Sequence, residues 1–183
     1  MSWMQTYKGH KLDFINPDPK EIDIEDIAHA LSNICRFSGH CAKFYSVAQH
    51  SVYVAQLSHP DHRLAGLMHD ATEAYIGDMV SPLKRLIPDF SAYENRLWAL
   101  IAGKYGLPGE LPEDVKAADL DILAMEARDL LGADPVTWGL KTPTEKARIH
   151  PWSPHVAKIR FMEAFETYTG EYATGMLRAY ASP

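Results

Sequence analysis

The chain has 183 residues, of which 46% are hydrophobic and 23% are charged, and its formal net charge is −6 at pH 7. This length and balance are typical of one soluble globular domain. No block of Lys and Arg favours a nucleic-acid partner, and no long apolar run or signal-peptide pattern favours a membrane or export. We therefore expect a cytoplasmic protein that binds neither nucleic acid nor a membrane.

The N-terminal part of the chain combines an arm with a first helix. In residues 1–20, Gly and Pro separate short apolar groups, which predicts an extended arm or a short hairpin. Ile24, Ile27 and Leu31 then have helical spacing, and acidic residues occupy the early turns. The pattern predicts an amphipathic helix directly after the arm.

Residues 33–45 break the helical pattern and form a predicted loop that is rich in ligand-binding side chains. Arg36 is its most informative member, because a planar guanidinium suits the oxygens of a phosphate group. The alternative is a salt bridge on a solvent-exposed loop. Cys35 and Cys41 are the only cysteines of the chain, and we expect reduced thiols, since they lack the CxxC spacing of a zinc ribbon.

A capping box predicts where the next helix begins. Ser46 takes the N-cap position and Gln49 the third helical position. His50 lies on the same stripe as Val47 and Val54, which predicts an inward-facing imidazole. An ordinary core histidine is the alternative, but an inward His on a neighbouring helix is also what a metal site needs.

Residues 64–73 form the segment of greatest chemical interest. Apolar residues three and four apart predict a helix that ends in an adjacent His69 and Asp70. Glu73 lies one turn further on, and on a helix it would share a face with both. Imidazole and carboxylate together suit a divalent metal ion, and a second carboxylate beside them could transfer protons. A chance His-Asp pair at a solvated helix end is the alternative.

A basic pair follows the end of this helix. Gly77 ends the regular pattern, and Pro82 and Pro88 bracket a short turn or helix. Lys84 and Arg85 lie between the two prolines, where they could bind a phosphate or form a solvated pair.

Two long helices are predicted next. Ser91 and Glu94 form a second capping box, which predicts a core helix that runs to Gly106. The other helix covers residues 113–131. Asp119 falls within its apolar stripe, and a carboxylate that faces a core is costly unless it is paired or binds a cation. An Asp tilted to the helix edge is the alternative.

The C-terminal part is predicted as a loop followed by helices. Residues 132–153 are rich in Gly, Pro and Trp and form a long loop, placed over a pocket in this interpretation. Ser153 and Pro154 open a last long helix, and a short helical tail ends the chain.

His50, His69, Asp70 and Asp119 lie on three separate predicted helices. Two imidazoles and two carboxylates suit one octahedral divalent ion with positions left for water and a substrate oxygen. This order resembles the H…HD…D signature of the HD-domain metal-dependent phosphohydrolases. The resemblance implies an all-α bundle, and we predict one domain over residues 1–183 with about six or seven helices around a metal-bearing core. In it, residues 1–20 are an arm and residues 132–183 hold the loop and the C-terminal helices.

A closer similarity involves residues 33–39, 45–51 and 69–75, which resemble phage and bacterial HD proteins related to the bacterial 5′-deoxynucleotidases. The similarity covers roughly residues 20–130. The resemblance implies substrate contacts and proton transfer by residues outside the ligand set: Arg36 on the phosphate, Phe37 beside the sugar in place of the Trp of the deoxynucleotidases, Asp78 near the sugar hydroxyl, and Glu73 as the HD-x-x-E glutamate.

The expected function is hydrolysis of (deoxy)nucleoside monophosphates by one divalent ion, with Mn, Co, Zn, Fe, Mg and Ni as candidates. Asp70 and Glu73 are the expected catalytic residues, and Lys84 assists Arg36. The first alternative is a triphosphohydrolase that releases triphosphate from dATP-like substrates, for which Lys84 and Lys116 would supply cations. Others are a nucleotide-binding module without catalysis and a structural interaction protein. Related HD proteins also imply a homo-oligomer, a dimer or larger.

Overall fold

The computed structural model describes residues 1–144 and 146–170. The predicted helical tail after residue 170 lies outside this part of the chain. No helix within the described residues is both long enough and apolar enough to cross a bilayer.

Of the two forms predicted for the N-terminal arm, an extended arm or a short hairpin, the structure shows the hairpin, which has two antiparallel strands. Strand β1 (Trp3–Gln5) pairs with β2 (Lys11–Asp13), and Leu12 is fully buried. The hairpin is tied to the first helix by Asp26, whose carboxylate accepts the backbone N–H of Lys8 at 2.7 Å.

Helices make up most of the remaining structure, which confirms the all-α prediction. They are α1 (Ile24–Asn33), α2 (Val47–Leu57), α3 (Arg63–Met68), α4 (Glu73–Ile76), α5 (Ser81–Lys84), α6 (Pro88–Tyr105), α7 (Glu113–Leu130) and α8 (Pro154–Thr169). The described residues also contain four short 3-10 turns, at Pro19–Glu21, Phe37–Gly39, Pro60–His62 and Pro135–Trp138.

Helix α2 is the centre of the fold and packs against α1, α3, α7 and α8. The largest apolar cluster lies around α1, α2, α3 and α8, and a smaller one, which includes Val54 and Val115, fastens α7 to α2 and α3. Because these helices cover most of α2, even polar members such as His50 are fully buried. The smaller cluster brings the middle of α7 next to the end of α3.

In the first predicted capping box, the contact of the Ser46 hydroxyl is confirmed and the return contact of Gln49 is not. Ser46 is the N-cap of α2, and its hydroxyl accepts the backbone N–H of Gln49 at 3.1 Å. The Gln49 side chain does not return to the cap. Instead its amide donates to the carbonyl of His150 at 2.9 Å and accepts the N–H of Trp152 at 2.7 Å. Gln49 therefore ties the segment before α8 to the central helix.

The second capping box is wrong. Helix α6 begins at Pro88, with Ile87 at the N-cap, rather than at Ser91. Proline suits the first helical position, because its φ is already helical and no N–H there needs a partner. The Glu94 carboxylate binds Lys84 at 2.6 Å instead of capping a helix. The N-cap predicted for α8 is confirmed, since the Ser153 hydroxyl accepts the N–H of Val156.

The predicted helix over residues 64–73 is interrupted, so Glu73 does not continue the helix that precedes His69. Helix α3 ends at Met68, and α4 begins at Glu73. Between them the N–H groups of Ala71 and Glu73 bond to carbonyls three residues earlier, at 2.9 and 3.0 Å. The His69 ring bonds to the Gly66 carbonyl, the oxygen that would accept the N–H of residue 70 in an α-helix. Because these bonds span three residues rather than four, the chain between α3 and α4 is wound more tightly than an α-helix.

Gly66 allows α3 to approach α2 closely. A Cβ at this position would lie 2.7 Å from the Ser58 hydroxyl and 3.0 Å from Cα of Ala55. Only glycine fits this crossing without displacing a neighbour. Because His69 follows within one turn, the crossing also sets the position of its imidazole.

Candidate metal centre and adjoining cavity

Three of the four predicted metal ligands meet in one cluster whose ligand atoms all lie within 4.8 Å of one another: His50, His69 and Asp119. Nε2 of His50 lies 3.2 Å from Nε2 of His69 and 3.1 Å from Oδ1 of Asp119. Two ligand atoms about 2.1 Å from a metal ion and at right angles lie about 3 Å apart. The group therefore could hold a metal ion.

Asp70 adjoins this cluster. Its Oδ2 lies 3.2 Å from Nε2 of His69 and 3.5 Å from Nε2 of His50. Burial opposes ionisation of the carboxyl, but the nearby His69, His50 and Arg36 hold the pKa of Asp70 well below its usual range. The four residues, which the sequence placed on three separate helices, thus lie close together.

The outer nitrogens of both imidazoles are already used. Nδ1 of His50 lies 2.7 Å from a Glu126 carboxylate oxygen, and Nδ1 of His69 lies 2.8 Å from the Gly66 carbonyl. Because both of these oxygens accept, both Nδ1 atoms carry a proton. In neutral rings this leaves two Nε2 lone pairs facing each other, an arrangement that is repulsive unless a cation lies between them. Such anchoring of the outer nitrogen is usual for metal-binding histidines, so the donor set fits a metal ion.

Without a metal ion, a proton fills the same need. Burial and the charge of Arg36 oppose protonation of His50, but neighbouring carboxylates raise its pKa to about 9. Burial also opposes ionisation of Asp119, yet contact with His50 lowers the pKa of that carboxyl. The centre is therefore electrostatically prepared for positive charge.

Glu126 is a functional candidate that the sequence analysis missed. Its side chain is fully buried, and its second oxygen lies 3.1 Å from both Nε and Nη2 of Arg36. Burial opposes ionisation, but Arg36 and His50 together lower the pKa of Glu126. The available signal was spacing, because Glu126 lies two helical turns after Asp119 on the inward side of α7.

Arg36 lies inside the protein rather than on an exposed loop, which excludes the alternative of a surface salt bridge. Its side chain is 11% exposed, and Nη1 lies 3.5 Å from Oδ2 of Asp70. The guanidinium therefore joins the Glu126 carboxylate to the metal-ligand cluster.

A cavity of about 640 Å³ opens beside the cluster. Six of the seven predicted catalytic and substrate-binding residues line it: Arg36, Phe37, Asp70, Glu73, Asp78 and Lys84. Asp119 lines it as well. The seventh, Lys116, is not brought to the cavity. Its ammonium pairs with Glu113 at 2.7 Å on the outside of α7, because three residues on a helix return to the same face.

Glu73 enters the cavity from the first turn of α4. The residue is buried, and within the described part of the chain its Oε2 has no hydrogen-bond partner. Burial raises the pKa of Glu73 well above its usual value, and the nearby Asp70 and Asp78 add to this effect. Both effects favour the protonated form of this carboxyl.

The remaining charged residues of the cavity are Asp78, Lys84 and Arg85, and they differ in their hydrogen-bond and ion-pair partners. Burial raises the pKa of Asp78, which follows Gly77, although Arg36 opposes this shift. The Lys84 ammonium binds Glu94 at 2.6 Å, while Arg85, another residue of the cavity lining, donates from its Nε to the Ser81 carbonyl at 3.3 Å.

Two aromatic residues from segments that are distant in the sequence line the cavity. Phe37 and Trp138 have ring centroids 6.2 Å apart. Trp138 belongs to the Pro135–Trp138 turn within the long loop that the sequence placed over a pocket. The sequence analysis did not single out this tryptophan.

Comparison with known proteins finds clear relatives. No known protein-family model matches the chain. The chain is 46% identical over 170 residues to the uncharacterized protein YfdR of Escherichia coli, which covers 90% of this chain and 94% of the relative. It is 37% identical over 145 residues to an uncharacterized protein of Rhodobacter capsulatus, covering 72% of this chain and 74% of that protein.

Proposed function

We propose that this chain, which belongs to the protein family of Escherichia coli YfdR, is a metal-dependent phosphohydrolase that acts on nucleotides. The carrying observation is the pair of anchored imidazoles, whose Nε2 atoms lie 3.2 Å apart beside two carboxylates. The adjoining cavity contains an arginine and a buried carboxyl with a raised pKa. The resemblance of the H…HD…D order to HD-domain enzymes supports the same assignment.

His50, His69, Asp70 and Asp119 would hold one divalent ion. Mixed imidazole and carboxylate ligands suit Mn²⁺, Fe²⁺, Co²⁺, Ni²⁺ or Zn²⁺ better than Mg²⁺, which prefers oxygen. Such an ion supplies positive charge for a phosphoryl oxygen and acidity for a bound water. Glu126 and the Gly66 carbonyl keep the two rings in the required tautomer.

The phosphate would lie against Arg36. Its guanidinium is held on one side by Glu126, so its position is fixed before substrate arrives. Arg85 adds a second positive charge to the cavity wall. Together with the divalent ion, these cations would attract the negative charge of a phosphate group.

Glu73 would handle the proton. It is buried and lines the cavity, and its raised pKa favours the protonated form. A protonated carboxyl can donate to the leaving alkoxide when the ester bond breaks. We therefore assign Glu73 as the general acid, while Asp70 serves as a ligand beside it.

The cavity favours a monophosphate over a triphosphate. A triphosphate needs additional cations, but Lys116 lies outside the cavity and Lys84 is bound to Glu94. Two arginines line the cavity, and one of them, Arg36, already pairs with Glu126, so the available positive charge suits a single phosphoryl group. We infer that (deoxy)nucleoside monophosphates are the substrates.

Product analysis tests this function. Protein loaded with Mn²⁺ or Co²⁺ is incubated with ribo- and deoxynucleoside mono- and triphosphates, and the products are separated by chromatography. We expect inorganic phosphate from the monophosphates. Asp119→Asn should abolish both this release and metal binding, whereas Asp121→Asn, which changes an exposed carboxylate two residues along the same helix, should keep both. Release of triphosphate would overturn the monophosphate assignment, and metal-loaded protein without any product would overturn the hydrolase assignment.

A further inference from the structure

We infer that Trp138 is the surface on which the planar base of the substrate stacks, and that it makes the protein select nucleotides over sugar phosphates without a base. This inference rests on the proposed function, because it names how the same cavity would recognise the non-reacting part of its substrate. It assigns a binding role to a residue outside the metal cluster and outside the helices that carry it.

Trp138 is held in place although it is not buried. Its ring lines the cavity, and the residue is 45% exposed. The short Pro135–Trp138 turn that carries it packs against α7, and Pro135 within the turn is buried. Asp134 caps this turn by accepting the N–H of Val136 at 3.0 Å, and the Thr137 hydroxyl donates to the Asp134 carbonyl at 2.7 Å. A large apolar ring is therefore presented to the cavity by a well-bonded element.

Phe37 reaches the cavity through a strained backbone. Phe37 has φ of +55° and Ser38 has φ of +51°, in the left-handed region that side chains rarely adopt. Such strain persists only where the surroundings enforce it, and it concentrates at binding sites. The result here is a phenyl ring that faces Trp138 with an interplanar angle of 59°. Two distant segments thus supply one aromatic corner.

The geometry of this corner defines how a base can bind. A base sandwiched between two rings requires flanking centroids at least roughly 7 Å apart, twice the shortest contact between stacked carbon atoms. The observed 6.2 Å is too short for a sandwich. Because Trp138 is 45% exposed and lines the cavity, a base can stack on the indole alone, with Phe37 beside it. Every base has a π face, so this contact recognises any base in preference to none.

The corner lies next to the phosphate-binding group. The guanidinium of Arg36 is 5.4 Å from the centre of the Phe37 ring. A ligand held by Arg36 at one end therefore has an aromatic surface beside it at the other. A phosphate connected through a sugar to a planar base matches this order of contacts.

Steady-state kinetics with two substrates test the inference. The substrates are dAMP and 2-deoxyribose 5-phosphate, which differ by the base alone. We expect Trp138→Ala to raise KM for dAMP about tenfold, a typical loss for one stacked base, with little change in kcat. The kinetics with 2-deoxyribose 5-phosphate should stay unchanged, and Trp138→Phe should restore most of the affinity for dAMP.

Val136→Ala is the matched control, because Val136 is 57% exposed on the same turn and does not line the cavity. It should behave as the wild type. Equal losses with both substrates, or an unchanged KM for dAMP in Trp138→Ala, would overturn the inference.

Fluorescence separates this inference from the proposed function. A base that stacks on an indole quenches its emission, so 2′-deoxyadenosine should quench the wild type and not Trp138→Phe. If neither phosphoester is hydrolysed but this quenching is observed, the proposed hydrolase fails and the stacking role of Trp138 stands. Equal quenching in both proteins, or none in the wild type, overturns the role of Trp138 whatever the kinetics show.

Discussion

Nδ1 of His50 lies 2.7 Å from Oε1 of Glu126, and neither side chain is exposed to solvent. The two residues come from α2 and α7, and the contact orients the imidazole so that Nε2 faces His69 and Asp119. Glu126 also pairs with Arg36, so one buried carboxylate positions both a candidate metal ligand and the arginine proposed to bind phosphate.

Replacement of this carboxylate should weaken the metal site. We expect Glu126→Gln to lower metal affinity about 10- to 100-fold, the usual effect of losing a partner of a metal-binding histidine. It should also destabilise the fold by about 3–5 kcal/mol, because Arg36 loses its buried counter-charge. Isothermal titration with Mn²⁺ and urea unfolding measure the two effects. Glu113→Gln, an exposed change on the same helix, is the control, and an unaltered Mn²⁺ affinity in Glu126→Gln would contradict the role.

Glu73→Gln should separate catalysis from metal binding. The variant keeps the ligand cluster but cannot donate a proton, so we expect metal binding to remain and kcat to fall about 10²- to 10⁴-fold. Phosphate release and Mn²⁺ titration of the same preparation measure both properties. Full activity in the variant would rule out Glu73 as the acid.

The same substitution predicts a pH dependence of stability in metal-free protein. The folded-state pKa of Glu73 is raised above 4.5, so its contribution to stability is present at low pH and is lost as pH rises above that value. Gln carries no charge and lacks this loss. As pH increases from about 4.5, the wild type should therefore lose stability that Glu73→Gln keeps, so the free energy of unfolding of the variant rises relative to that of the wild type. Urea unfolding at several pH values measures this difference. A difference that does not change with pH would contradict burial of an ionisable Glu73.

Asp129 should contribute stability with the opposite pH dependence. Burial opposes its ionisation, but the guanidinium of Arg128, the N–H of Ile149 and Arg148 lower the pKa of Asp129 to about 2. A lowered pKa gives stability that is present above the usual carboxyl value and lost as pH falls towards 2. We expect Asp129→Asn to cost about 2 kcal/mol at pH 7 and less at pH 3, as measured by urea unfolding. If the difference in free energy of unfolding between wild type and Asp129→Asn were the same at pH 3 and pH 7, this prediction would be wrong.

Gly66→Ala should disturb the crossing of α2 and α3. The added methyl meets Cα of Ala55 at 3.0 Å, so we expect a loss of about 1–3 kcal/mol and weaker Mn²⁺ binding through His69. Gly103→Ala is the matched control, because this helical glycine has open space around it. That change should stabilise the protein by about 0.5–1 kcal/mol, since alanine favours helix. Similar unfolding curves for both variants would show that the crossing tolerates a side chain.

The helical periodicity predicted much of what positions the metal centre. Apolar spacing placed His50 and Asp119 on inward stripes of their helices, because residues three and four apart share a face whatever the helix packs against. Helix α7 lies close to its predicted range, α1 covers the residues with helical spacing, and the Ser46 and Ser153 caps are where the local pattern put them. The adjacent His69 and Asp70 were likewise visible as a local pair.

Only the tertiary structure decided which charges meet. Arg36 and Glu126 are 90 positions apart, and no local pattern states that a guanidinium on a loop will pair with a carboxylate on α7. The same limit applies to the ring of Phe37 and that of Trp138, which meet only after α7 and the long loop have packed. It also explains why Lys84 and Lys116 could not be distinguished in advance, although one lines the cavity and the other faces outward. Periodicity determines the face on which a residue lies, whereas contacts between distant segments depend on how the helices pack together.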